Sequence, residues 1–148
     1  MSRRELSQKE ADHLIELEKE PVDGRNWQFP VHGEQASLDL KSLDGREEFL
    51  LDVNRRSISL KKKTFQNRYH STVILVRLDL GGSPHRNPDG QELPCPHIHI
   101  YRERYGDKWA FPIDPDSFPD VEDVNTVFSS FLDYCNVINF PTINMVLY

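Results

Sequence analysis

Two stretches of alternating residues constrain the fold of this chain more than any other feature. Along residues 72–80 the even positions Ile74, Val76, Leu78 and Leu80 are apolar, and Arg77 and Asp79 fall between them. Along residues 97–100, His97 and His99 alternate with Ile98 and Ile100. A period of two marks a strand with one face in the core and the other face open to chemistry. Weaker alternation over 37–43 (Leu38, Leu40) and the apolar run 49–53 flank Asp44-Gly45, a hairpin signal. Ile58 and Leu60 alternate with Ser57, Ser59 and Lys61 and predict a third strand. Trp109, Phe111 and Ile113 predict a last one, and residues 143–148 an edge.

Helices bracket these strands. Ser7-Gln8-Lys9-Glu10 reads as a capping box that opens a short helix over Ala11, Leu14, Ile15 and Leu17, ended before Pro21. Asp120 predicts the N-cap of a second helix, with acids in its first turn and Val121, Val124, Phe128, Phe131, Leu132 and Cys135 along its apolar stripe. In the connection between the first helix and the sheet, Trp27, Phe29 and Val31 are expected to reach the core. The order predicts an α+β fold: an antiparallel meander sheet of about five strands, with an N-terminal and a C-terminal helix packed on one face, in a single domain 1–148.

Composition narrows the classes. With 37% apolar and 28% charged residues the chain is neither disordered nor a membrane protein by composition, and no apolar run approaches the roughly 20 residues of a span. The charged N-terminus lacks the apolar segment of a secretory signal. Cys95 and Cys135 are too few and too far apart for a disulfide scaffold, so a cytoplasmic protein with reduced thiols is expected. The net charge of −6 is unevenly spread. Residues 1–54 hold 7 Lys and Arg against 13 Asp and Glu, and residues 109–148 hold 6 acids and no Lys or Arg. Between them, residues 55–108 hold 11 bases against 5 acids and four of the six histidines. Such a basic middle suits an anionic ligand such as RNA, unless the acidic flanks fold over and neutralise it.

Strand parity gathers the chemistry. If Ile58, Leu60, Ile74, Val76, Leu78, Ile98 and Ile100 face the core, the other face carries Ser57, Ser59, Lys61, Arg77, Asp79, His97, His99 and Tyr101. The Gly- and Pro-rich excursion 81–96 would roof it, and long loops in compact domains are often functional. Three chemistries fit this platform. The first, metal-free RNA cleavage, needs a base, an acid and cations for the phosphate, and no cofactor. His97 and His99, roughly 6.6 Å apart along a strand, would share the acid and base roles with Tyr101 as a further donor. Lys61, Arg77, Arg102 and Lys108 would hold phosphate, and Asp79 and His85 would orient imidazoles. The second is a metal site of His97, His99 and Glu103 for Zn or Fe. The third is a binding protein or inhibitor that uses its acidic ends (Asp120, Glu122, Asp123) on a protein partner. No third group that would orient a Cys95–histidine nucleophile is evident. No phosphate-binding loop, dinucleotide fingerprint, C-x-x-C or nucleophile elbow occurs.

Two resemblances accompany these readings. The spacing H-x-H-x3-E from His97 to Glu103, preceded by Gly90, resembles the metal-binding motif of the cupins over about 15 residues. It departs from that motif in its Gly-to-His spacing and in the early Gly106, and no second motif follows. More specifically, Arg77-Leu78-Asp79, His85, Asn87-Pro88-Asp89-Gly90, His97-Ile98-His99-Ile100-Tyr101-Arg102-Glu103 and Tyr105-Gly106-Asp107-Lys108-Trp109-Ala110 resemble an uncharacterised family of small bacterial and prophage-associated proteins. That resemblance implies a mobile-element setting, in which small proteins are often toxins, antitoxins or inhibitors of host defence. It implies no reaction.

Overall fold

A computed structural model describes residues 5–141 and 143–144. In chain order the elements are α1 (Gln8–Glu16), β1 (Lys19–Pro21), β2 (Trp27–Gln28), β3 (Gln35–Ser42), β4 (Glu48–Asn54), β5 (Lys63–Tyr69) and β6 (Val73–Leu80). They continue with β7 (His85–Arg86), β8 (Glu92–Leu93), β9 (His97–Ile100), β10 (Ala110–Pro112), α2 (Val124–Tyr134) and β11 (Ile143–Asn144). The fold is α+β. Seven strands form one antiparallel sheet in the order β1-β3-β4-β5-β6-β9-β10, and β7-β8 and β2-β11 form two small ladders. The sheet therefore exceeds the expected five strands: β1 joins one edge, and the strand expected around Trp109, Phe111 and Ile113 forms the other edge as β10.

Both helices start as their caps dictate. At α1 the Ser7 hydroxyl accepts from the Glu10 N–H while the Glu10 carboxylate accepts from the Ser7 N–H, the capping box anticipated. At α2 the N-cap is Asp123 rather than Asp120, and the first turn holds no acid. The Asp120 carboxylate instead accepts from the N–H groups of Glu122 and Asp123, closing a turn ahead of the helix. One core joins Ala11 and Leu14 of α1, Phe128 and Phe131 of α2, and Leu51, Val53, Phe65, Val76, Leu78 and Ile98 of the sheet. Phe128 lies edge-on to Phe29 and Phe65 at 5.0 and 5.3 Å, and Trp27 packs on the same cluster.

The strand expected at 57–61 is a loop. Ile58 and Leu60 are 97% and 67% exposed, and side chains divert the backbone there. Asn54 accepts from the Arg56 N–H, Ser57 from the Ser59 N–H and Ser59 from the Lys61 N–H, local bonds that compete with a ladder. The strand lies instead at β5, whose buried positions are Phe65 and Asn67; an Asn among core residues hides the alternation. Of the expected tail strand, Ile143–Asn144 pairs in parallel with Trp27–Gln28, and 145–148 lie outside the described residues.

Candidate functional site

Register turns the polar face of the sheet into two rows. Ser37 pairs with Asp52, Asp52 with Gln66, Gln66 with Arg77 and Arg77 with His99. Beside that row, Gln35 pairs with Asn54, Asn54 with Thr64, Thr64 with Asp79 and Asp79 with His97. Paired residues on one face stand side by side, so ten polar side chains line up across five strands. All of them except the buried His99 floor a cleft of about 640 Å³ that Lys62, Lys63, Arg68, Ser83, His85 and Cys95 help to line. Among the strongly charged lining groups, Lys62, Lys63, Arg68 and Arg77 face only Asp52 and Asp79.

At the β9 end of the cleft three groups converge on one point. The Asp79 Oδ2 lies 3.2 Å from His97 Nε2 and 3.1 Å from His99 Nε2. Each histidine donates its Nδ1–H to a backbone carbonyl, Pro94 at 3.2 Å and Asp107 at 2.8 Å. Carbonyls only accept, so these contacts fix which nitrogen carries the proton. Both imidazoles are 1% exposed. Arg77 spans the cluster: Nε donates to Asp79 Oδ1 (3.2 Å), Nη1 to Asp107 Oδ2 (2.6 Å) and Nη2 to His99 Nε2 (3.1 Å). Burial pushes the Asp79 carboxyl up, but the bond from a protonated His99, the charge of Arg77 and the charges that His99 and His97 carry in that form outweigh it and hold it at about 2.

The third imidazole differs. His85 is half-buried on β7, 4.6 and 5.8 Å from the His99 and His97 rings, and lines the cleft. Its Nε2–H donates to the Lys108 carbonyl at 2.7 Å, which leaves Nδ1 as the basic nitrogen. Asn87 places it. The buried Asn87 side chain accepts from the Ala110 N–H and donates to the Ala110 carbonyl, as a neighbouring strand would. That clamp fastens the β7–β8 hairpin, turned at Asn87-Pro88-Asp89-Gly90, to the edge strand β10.

The structure thus brings together five residues that the sequence singled out: Arg77, Asp79, His85, His97 and His99. Five others go elsewhere. Tyr101 was expected beside the histidines, but β9 ends at Ile100 and the buried Tyr101 hydroxyl donates to the Leu6 carbonyl at 2.7 Å. Glu103 is no neighbour of the histidines, because its carboxylate accepts the Gln8 N–H at the start of α1 (2.7 Å). Arg102 stacks on Trp109 at 4.5 Å. Lys61 is exposed in the 57–61 loop, outside the cleft lining. The exposed Lys108 contributes its carbonyl to His85 and not its ammonium to the cleft.

Sequence reasoning missed Asp107, Asn87, Arg68 and Asp52. Arg68 holds Asp52 through two bonds, Nε–Oδ2 at 2.6 Å and Nη2–Oδ1 at 3.0 Å, on a strand the alternation did not reveal. Cys95 Sγ lies 3.6 Å from His97 Nδ1, and Asp79 supplies the third group behind that imidazole. Burial pushes the Cys95 thiol up, as does the Asp79 charge, against the opposing effects of the Gly82 N–H and Lys62. A thiol raised in this way is a poor nucleophile.

Residues 6–137 match the model of a family of unknown function, DUF6978. No curated protein and no solved structure matches the chain.

Proposed function

The chain belongs to DUF6978, and we propose that it is a nucleic-acid-directed protein that takes a single-stranded RNA phosphodiester into the cleft and cleaves it. One observation carries this reading: a cleft across five strands lines four cations against two carboxylates and ends in a histidine cluster. Phosphate contacts dominate affinity for nucleic acid, and an imidazole at the end of such a groove suits acid–base work on the held phosphodiester. Lys62, Lys63 and Arg68 are the backbone contacts in this reading. His85, whose Nδ1 is not the nitrogen held by the Lys108 carbonyl, is the imidazole that reaches substrate, because the His97 and His99 side chains are buried with Nε2 turned to Asp79. The mobile-element setting implied by the sequence resemblance is compatible with a toxin of this kind.

The test uses a labelled single-stranded RNA, with anisotropy over a salt series and a cleavage gel. Lys62→Ala/Lys63→Ala should weaken binding at least about tenfold and flatten the log–log salt slope by roughly 0.7 per lost phosphate contact. His85→Ala should leave binding intact and slow cleavage on the order of 10²- to 10⁴-fold. RNA binding that ignores the two lysines, or cleavage that ignores His85, would overturn the proposal.

A further inference from the structure

The convergence of His97, His99 and Asp79 poses a problem of lone pairs. With each Nδ1–H committed to a carbonyl, each neutral imidazole aims its Nε2 lone pair at Asp79 Oδ2, itself only an acceptor. Three acceptors facing one another, the two imidazoles buried, repel unless a proton or a metal ion sits among them. Arg77 Nη2 serves the His99 lone pair, but no guanidinium nitrogen bonds His97. Protonating both Nε2 atoms would place two buried imidazolium rings with centroids 5.0 Å apart beside Arg77, three cations around one carboxylate.

We propose that Asp79, His97 and His99 bind a first-row divalent metal ion of the zinc class through Oδ2 and the two Nε2 atoms. The three ligand atoms lie within 4.8 Å of one another. The two nitrogen-to-oxygen separations of 3.1 and 3.2 Å match the edge of about 3.3 Å that bonds of roughly 2.05 Å make in a tetrahedral zinc site, and the two Nε2 atoms, within 4.8 Å of each other, close toward the same edge as the ion binds. An outer shell is in place as well. Metal-ligating histidines typically give their other N–H to a carbonyl or carboxylate, as both do here. Two imidazoles and one carboxylate leave coordination positions open, and Asp79 and His97 line the cleft, so those positions face it. An ion there takes the His99 lone pair from Arg77, whose 2.6 Å bond to Asp107 keeps it alongside. Glu103, the carboxylate that spacing alone suggests, is replaced by Asp79 from the adjacent strand. That a phosphate oxygen completes the shell rests on the reading of the cleft above; binding of the ion does not.

The experiment titrates chelator-treated wild-type protein with Co²⁺, follows visible absorption, and then displaces Co²⁺ with Zn²⁺. Stoichiometric uptake with d–d bands that Zn²⁺ bleaches is expected, together with a rise in thermal midpoint on adding Zn²⁺. Asp79→Asn and His97→Gln should each weaken uptake at least about 100-fold, at or beyond the upper end of losses seen for outer-shell partners. His13→Gln, exposed on α1, should change nothing. Absence of Co²⁺ uptake by the folded wild type, or uptake undiminished in both variants, overturns the site. The two readings fail separately. Uptake without RNA cleavage in any metal form upholds the site and sinks the nuclease, whereas cleavage in chelator by a protein that takes up no ion does the reverse.

Discussion

Lys19 is the most constrained single residue outside the cleft. It is wholly buried, and its Nζ donates to the carbonyls of Ile15 (2.9 Å), Leu17 (2.8 Å) and Cys135 (2.9 Å). Three acceptors match the three N–H groups of an ammonium, and they stand at the C-terminal ends of α1 and α2, where carbonyls lack partners. Burial lowers the Lys19 pKa to about 8, against a small opposing effect of Cys135, so the group is charged at neutral pH. Lys19→Met removes the donor and strands three carbonyls; it should cost about 2–4 kcal/mol in chemical denaturation at neutral pH. The pH dependence has a definite sign. Between about 8 and the ordinary value of 10.5 the unfolded chain holds the proton that the folded chain has released, so wild-type stability gains with rising pH. The variant lacks that gain, and the stability gap should widen across the window. Nothing in the sequence marks Lys19, because its partners are backbone atoms of two helices more than a hundred residues apart.

Elements whose side chains alternate cleanly were legible from sequence; a strand with a buried polar residue in its core row was not. β6 and β9 follow from Val76 to Leu80 and from Ile98 and Ile100, and their polar positions Arg77, Asp79, His97 and His99 fall on one face as parity requires; Ile74 breaks the expected phase, because a register irregularity sets it opposite Arg68 and leaves Leu75 in the core. β5 was hidden by the buried Asn67, and the 57–61 loop mimicked a strand because serines that close turns alternate with exposed aliphatics. What seats that loop against the cleft is Gly81. Its φ is +65°, and a Cβ there would stand 2.3 Å from the Lys61 carbonyl oxygen. Gly90, at φ +90° in the β7–β8 turn, has open space around it. Alanine at Gly90 meets backbone strain alone, about 1 kcal/mol, whereas at Gly81 it adds a clash with main chain. Urea denaturation should therefore rank Gly81→Ala as the costlier, by at least about 2 kcal/mol. Equal midpoints for the two variants would show that the loop yields.

Across the whole molecule the uneven charge of the sequence becomes a difference between two faces. α2 lies on the Phe65 side of the sheet, whereas Thr64 and Gln66, the alternating neighbours of Phe65, line the cleft. The acidic residues 109–148 contribute nothing to the cleft lining, and among the described ion pairs none joins them to the basic middle. Asp52 is the acid from outside the basic segment that answers it, through Arg68. Partition was readable from residue counts; which face each part occupies required the register. A consequence can be measured. Layers about 10 Å apart are separated by about one Debye length at 0.1 M salt, so acids on the helix side are largely screened from a phosphate in the cleft. Asp114, Asp120 and Asp123 are unsuited to testing this, since their carboxylates accept backbone N–H groups around the start of α2. Asp116, Glu122 and Asp133 are exposed and hold no such turn. Asp133 also stands in the last turn of α2, where losing a negative charge favours the helix. Asp116→Asn/Glu122→Gln/Asp133→Asn should keep full stability and change RNA affinity by less than about twofold at 0.1 M salt, against the tenfold loss expected for the Lys62 and Lys63 pair. A comparable gain in affinity from the three neutral substitutions would mean that the acidic segment closes over the cleft in solution.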